Sequence, residues 1–271
     1  VNAGAAAKAS DMKRRIAPWA WPLVAIRLFA LLVLLLACVP AYYLLAPLTR
    51  RNPAPRFFLT SVGRISGLRV TMRGSSPAPD TFFLANHVSW LDIPALSQAS
   101  GTAFIAHDGL ADFAPLRWLC TLNDTVFVAR NRRSTVSEQV EQVRSALRDT
   151  GALTIFPEGT TSDGTDLLPF KSSLLSAIST DDDTVAAQPV WVDYGSDAAE
   201  IAWVGEEPGL DNALRILART KPVRVTVHFL APLTGEDRRD RKALARGAQA
   251  AIRHVMETGA MENGAMENSR A

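Results

Sequence analysis

Short apolar runs alternate with polar clusters along most of the chain, but one apolar stretch is too long for that rhythm. Leu28 to Ala46 holds only apolar residues and two tyrosines, about the 20 residues a helix needs to cross a bilayer core. Arg27 parts it from a shorter apolar piece, Ile16 to Ile26, which carries Trp19 and Trp21. Tryptophans of this kind gather at membrane–water boundaries. The pattern fits either one spanning helix or two short helices dipping into one leaflet, with Pro40 breaking the second. Basic residues at Lys13-Arg14-Arg15 and Arg50-Arg51-Arg56 balance across the run, so they do not choose an orientation.

After the linker Asn52-Pro53-Ala54-Pro55, a short helix is expected over Arg56 to Ile65. Leu68 to Arg73 and Thr81 to Ala85 read as two strands joined by a Gly/Ser/Pro turn, and Trp90 to Ala99 as a helix. Further strands are expected at Thr102 to Ala106, Thr125 to Val128, Ala152 to Phe156, Ala186 to Asp193, Glu200 to Val204 and Val223 to Leu230. The clearest helix is Val136 to Asp149. There Val136, Val140, Val143 and Leu147 share one face, Thr135 and Glu138 suit a capping box, and Gly151 closes the end. Strands alternating with helices predict an α/β fold, a central mixed, largely parallel sheet flanked by helices. Functional groups then belong at the strand ends. The expected organisation is a basic tail at 1–15, a membrane anchor at 16–48, one catalytic domain at 49–258 and a disordered tail at 259–271. That last segment repeats Gly-Ala-Met-Glu-Asn directly and is too short and polar to bury a core.

Composition narrows the picture modestly. A formal net charge of +2 over 271 residues gives no footprint for nucleic acid. The basic residues are clustered, and those flanking the apolar run suit anionic lipid head groups. Arg238 to Lys242 reads as a solvated face. The two cysteines, Cys38 and Cys120, offer neither a disulfide framework nor a metal ligand set, which favours a reducing compartment.

The candidate chemistry lies where apolar strands run into polar turns. Phe82-Phe83-Leu84-Ala85 leads into Asn86-His87-Val88-Ser89-Trp90-Leu91-Asp92, with a histidine and an aspartate five positions apart. If the chain turns there into a helix, both side chains reach one sheet edge. An imidazole exchanges a proton readily near neutral pH, and a carboxylate on its other nitrogen fixes tautomer and charge. No serine or cysteine nucleophile stands beside the pair, so the substrate is expected to bring its own hydroxyl. A second run, Leu153-Thr154-Ile155-Phe156, ends in Pro157-Glu158-Gly159-Thr160-Thr161-Ser162, about 70 residues further on.

Together, Asn86-His87-x4-Asp92 and Phe156-Pro157-Glu158-Gly159-Thr160 resemble the first and third signature blocks of the glycerolipid, or lysophosphatidate-type, acyltransferases. Pro115-Leu116-Arg117-Trp118-Leu119 and Thr125 to Arg130 look like the second block, and Val185 to Val190 like the fourth; the likeness covers roughly Leu68 to Leu233. The resemblance implies a membrane-bound enzyme of the bacterial inner membrane, its catalytic domain on the cytoplasmic side. It would move a fatty acyl chain from acyl carrier protein or coenzyme A to a lysolipid hydroxyl, with no cofactor beyond that donor and no metal. Leu35-Leu36-Ala37-Cys38 loosely mimics a lipoprotein cleavage site, but export would separate the domain from cytosolic acyl donors.

By the same resemblance His87 is the base and Asp92 its orienter, with Asn86, Ser89 and Pro157 supporting the motifs. Arg130, Glu158, Gly159, Thr160 and Lys171 hold the acceptor's polar head, Glu158 by positioning Arg130 or backbone donors. Oxyanion donors are expected from backbone N–H groups after His87 or around Gly159. The expected acceptor is 1-acylglycerol 3-phosphate, giving phosphatidic acid. One departure points elsewhere: Thr161 stands where many lysophosphatidate enzymes carry an arginine, and losing that charge weakens phosphate recognition. The alternative acceptor is lyso-ornithine lipid, which has no phosphate. A non-catalytic lipid-binding protein of the same fold is the competing class. Of the other histidines, His107 falls where relatives often carry lysine, while His228 and His254 read as strand and surface residues.

Overall fold

The computed structural model describes residues 16–49, 51–75, 77–107, 114–128, 136–175 and 185–268. A single 3-10 turn at Pro18–Ala20 opens into α1 (Trp21–Leu45), followed by α2 (Ala54–Ile65), β1 (Leu68–Gly74), β2 (Thr81–Ala85) and α3 (Asp92–Ser100). Next come β3 (Ala103–His107), α4 (Ala114–Leu122), β4 (Val126–Val128), α5 (Val136–Thr150) and β5 (Ala152–Ile155). The chain ends with β6 (Ala186–Asp193), α6 (Ala198–Ile201), α7 (Gly209–Leu217), β7 (Val223–Phe229) and α8 (Arg241–Asn268).

Seven strands form one sheet in the order β1-β7-β6-β2-β5-β3-β4. Every neighbouring pair is parallel except β6 and β7, so the mixed, largely parallel α/β sheet is as expected. β2 is central, between β5 and β6, and all five of its residues are buried. Its side chains alternate between two cores. Phe82 and Leu84 pack with α5 and α8 residues such as Val143, Leu147 and Ile252, whereas Phe83 and Ala85 pack with Leu91, Leu96 and Ile216. A strand covered on both faces reads as a continuous apolar run, which is what Phe82 to Ala85 is.

Three expectations change. β1 and β2 are not neighbours, because β1 is the mostly exposed edge strand and pairs with β7. Gly74 ends it at φ +89°, where an added β-carbon would meet the Phe229 carbonyl. Glu200 to Val204 is not a strand; it begins as the last turn of α6, and Ile201 and Ala202 are buried from a helix end and loop. α8 continues over the repeated Gly-Ala-Met-Glu-Asn segment as far as Asn268. For α5, Val143 and Leu147 face the core and Gly151 closes the helix at φ +79°, while Thr135 of the expected capping box lies outside the described residues.

The apolar N-terminal segment is one continuous helix that runs through both Arg27 and Pro40, not two short ones. From Pro18 to Leu45 its 28 residues are long and apolar enough to cross a membrane by length and composition, and only 11% of the most apolar window is buried in protein. It rests on α2, and its near end touches α7. There Arg27 donates to the carbonyls of Leu217 and Arg219, both at 2.8 Å. A charge inside an apolar helix is thus spent on carbonyls that the end of α7 leaves unpaired.

Candidate active site

β2 leaves the sheet without losing its hold on it. Asn86 donates to the Val192 carbonyl at 3.1 Å and accepts from the Val192 N–H at 2.7 Å, which replaces the next rung of the ladder. The His87 backbone is then gripped from the second turn. Its N–H donates to Glu158 Oε1 at 2.9 Å, and its carbonyl accepts from the Ser162 N–H at 2.7 Å and hydroxyl at 3.1 Å. The imidazole stacks on Phe156, with ring centres 4.1 Å apart and planes 18° from parallel. The two sequence motifs are therefore physically one site.

Asp92 begins α3, where the helix dipole favours a negative charge. Its side chain is fully buried, and Oδ2 lies 2.7 Å from His87 Nδ1. The same oxygen accepts from the N–H groups of Val88 at 2.7 Å and Ser89 at 3.0 Å, while Oδ1 accepts from the Tyr194 hydroxyl at 2.6 Å. A carboxylate ringed by donors is an acceptor only. Nδ1 therefore carries its proton toward Asp92, and Nε2 presents a lone pair. Burial first, and the Asp92 carboxylate second, push the Tyr194 hydroxyl well above its ordinary pKa, so it stays a donor.

Glu158 is also fully buried, and it serves the backbone. Besides the His87 N–H it accepts from the Leu168 N–H at 3.2 Å. Burial raises its pKa to about 7 against the lowering effect of those two bonds. Pro157 is buried and accepts from the Lys171 N–H at 2.8 Å. Gly159 turns at φ +69°, its N–H donating to the Phe156 carbonyl at 3.0 Å. The Lys171 ammonium lies over that turn, 3.3 Å from where a β-carbon on Gly159 would stand.

The N–H groups of Val88 and Ser89 are spent on Asp92, and that of Gly159 on Phe156. Three expected oxyanion donors are therefore already occupied. Arg130, the expected phosphate ligand, lies outside the described residues. His107 ends β3. His228 is stacked on Trp191 at 4.6 Å and lies 4.0 Å from Asp193, and His254 is exposed on α8. Neither lines the cavity that receives His87.

That cavity has a volume of about 880 Å³ and is mostly apolar. α1 contributes Leu31, Leu32 and Leu35, and α2 contributes Phe58, Leu59 and Val62. Polar groups join it at His87, at the turn through Gly159, Thr160 and Thr161, and in the loop from Gly205 to Glu207. An imidazole with a free nitrogen thus opens onto a space sized for a lipid chain. The sequence reading missed Tyr194, Ser162 and the 203–207 loop. Tyr194 reaches Asp92 across 102 positions, and no local pattern carries such a contact.

A family model described as Acyltransferase matches residues 69–193, which includes both turns. A lyso-ornithine lipid O-acyltransferase from Rhodobacter capsulatus is 34% identical over 71% of each chain. The chain belongs to the acyltransferase family. Another lyso-ornithine lipid O-acyltransferase, from Brucella abortus, is 31% identical over 84% of this chain and 92% of its own length. A 1-acyl-sn-glycerol-3-phosphate acyltransferase from Neisseria meningitidis is 30% identical over 72% of this acyltransferase and 78% of its own length. The crystal structure of the 1-acyl-sn-glycerophosphate acyltransferase PlsC from Thermotoga maritima shares the fold, with a TM-score of 0.51 at 22% identity. The match covers 86% of this acyltransferase and 98% of that chain.

Proposed function

We propose that the protein transfers a fatty acyl group from an acyl thioester, carried by acyl carrier protein or coenzyme A, to the hydroxyl of a lysolipid. The observation that carries this reading is the His87–Asp92 pair, 2.7 Å apart, at the wall of an apolar cavity. His87 Nε2 takes the proton of the lysolipid hydroxyl as its oxygen attacks the thioester carbonyl. Asp92 holds the resulting imidazolium. The tetrahedral intermediate collapses with loss of the thiolate, which recovers the proton from His87. No enzyme nucleophile and no cofactor is needed, because the thioester is already activated and the acceptor supplies the oxygen.

For the acceptor we place lyso-ornithine lipid first. A relative with that name is 34% identical over 71% of each chain. Thr161, where an arginine would bind phosphate, instead donates its hydroxyl to the Trp203 carbonyl. A second reading, 1-acylglycerol 3-phosphate, is supported by the Neisseria relatives and by Arg130 in the second block. The apolar helix α1 supports attachment to a membrane; the inner membrane and the cytoplasmic side are part of the proposal because acyl donors are made there.

The test is an acceptor panel assayed in membranes with labelled acyl carrier protein and coenzyme A donors. Acylation of lyso-ornithine lipid ahead of 1-acylglycerol 3-phosphate is expected. Lipid binding without transfer for any donor and acceptor pair would leave the non-catalytic reading standing instead.

A further inference from the structure

The 203–207 loop is built into the catalytic mouth. The Trp203 N–H donates to the Val88 carbonyl at 3.0 Å, and the Trp203 carbonyl accepts the Thr161 hydroxyl. The loop therefore touches the turns that carry both motifs. It brings two adjacent carboxylates to the cavity wall, and they are not equivalent. Glu207 is nearly buried and held by Arg215 and Asn212, each at 3.0 Å. Its charge is neutralised inside the protein. Glu206 is exposed and lines the cavity, and no cation is paired with it among the described residues. The neighbouring arginines are committed, Arg215 to Glu207 and Arg219 to Asp197 and Glu200.

Among the described residues, a second charge near the mouth has the opposite sign. Lys171 is exposed, and its ammonium lies over Gly159, which lines the same cavity. The cavity thus has a carboxylate in its lining at Glu206 and an ammonium beside its Gly159 turn. A phosphate monoester would gain from Lys171 but be repelled by Glu206. A head group with both an amine and a carboxylate can pair each with its opposite.

We infer that Glu206 and Lys171 form a two-point clamp for a zwitterionic amino-acid head group, with Glu206 the residue that selects for the acceptor's cationic group. This rests on the lysolipid acyl-transfer reading above and assigns its specificity. Glu206 binds the amine, Lys171 binds the carboxylate, and the hydroxyl is left to His87.

The test measures KM and kcat of the full-length chain in neutral-detergent micelles, with lyso-ornithine lipid and with 1-acylglycerol 3-phosphate. Glu206→Gln should raise KM for lyso-ornithine lipid about tenfold, the loss expected for one charge-assisted contact. Its kcat and the KM for the donor should stay near wild type, and KM for the phosphate acceptor should be unchanged or lower. Glu206→Lys should move preference toward the phosphate acceptor, whereas Lys171→Gln should weaken both. Equal changes for both acceptors in Glu206→Gln, or none for either, would overturn the clamp. A wild-type chain that acylates only the phosphate acceptor would overturn the clamp and leave the acyl-transfer reading intact. One that acylates neither would overturn both.

Discussion

At the scale of single residues, the site is a set of buried carboxylates whose donors are other parts of the chain. Asp92 receives two backbone N–H groups, the Tyr194 hydroxyl and the His87 ring. Tyr194→Phe removes one donor from a fully buried charge and should cost about 1.5 to 3 kcal/mol of stability. Chemical denaturation of the variant measures that cost directly. Glu158 gives a pH signature. Its folded pKa of about 7 is raised above the ordinary 4.5, so the folded state holds its proton over a range where the unfolded chain has lost it. The contribution is fully present below about 4.5 and is lost as pH rises through about 7. Glu158→Gln should abolish that slope. It should also cost about 1 to 3 kcal/mol, since an amide cannot accept from both His87 and Leu168 without setting donor against donor. Denaturation midpoints of the two proteins across pH 4 to 8 check both statements.

Among the elements, α1 carries the least obvious job. Its outer residues, including Phe29 and Leu36, are exposed, while Leu31, Leu32 and Leu35 line the cavity. Arg27 ties the near end of the helix to the last carbonyls of α7. Arg27→Met should keep the chain on membranes, lower its melting temperature by several degrees and speed proteolytic release of the helix from the domain. Calorimetry and limited proteolysis measure the two effects. Strand and helix types were legible where a segment's period matched its burial. β2 and β6 read correctly as apolar runs, and α5 as a stripe of Val143 and Leu147. The 200–204 segment misled because Ile201 and Ala202 are apolar for reasons of burial at a helix end, a condition that looks like a strand in sequence. The β1 pairing was also hidden, because a turn-like Gly-Ser-Ser-Pro segment can lead equally to a neighbour or across the sheet.

In the molecule as a whole, sheet order does what the motif spacing only suggests. Placing β2 beside β5 brings the ends of Phe82–Ala85 and Ala152–Ile155 together, so a histidine and a glutamate 71 positions apart share a hydrogen bond. The His87–Asp92 pair was legible because both residues sit within one turn. Tyr194 and Glu206 were not, because they arrive from β6 and from the loop before α7, and nothing in their own neighbourhoods marks them. The cavity likewise needs α1 and α2 as walls. Leu32→Gln should therefore weaken lysolipid binding without loss of the fold, as measured by lipid titration and thermal melting. The most direct test of the central claim is acyl transfer by purified His87→Ala under single-turnover conditions. The rate should fall about 100- to 10,000-fold with melting temperature and lysolipid binding retained, the loss expected when a general base is removed. Unchanged turnover in a folded variant would contradict it.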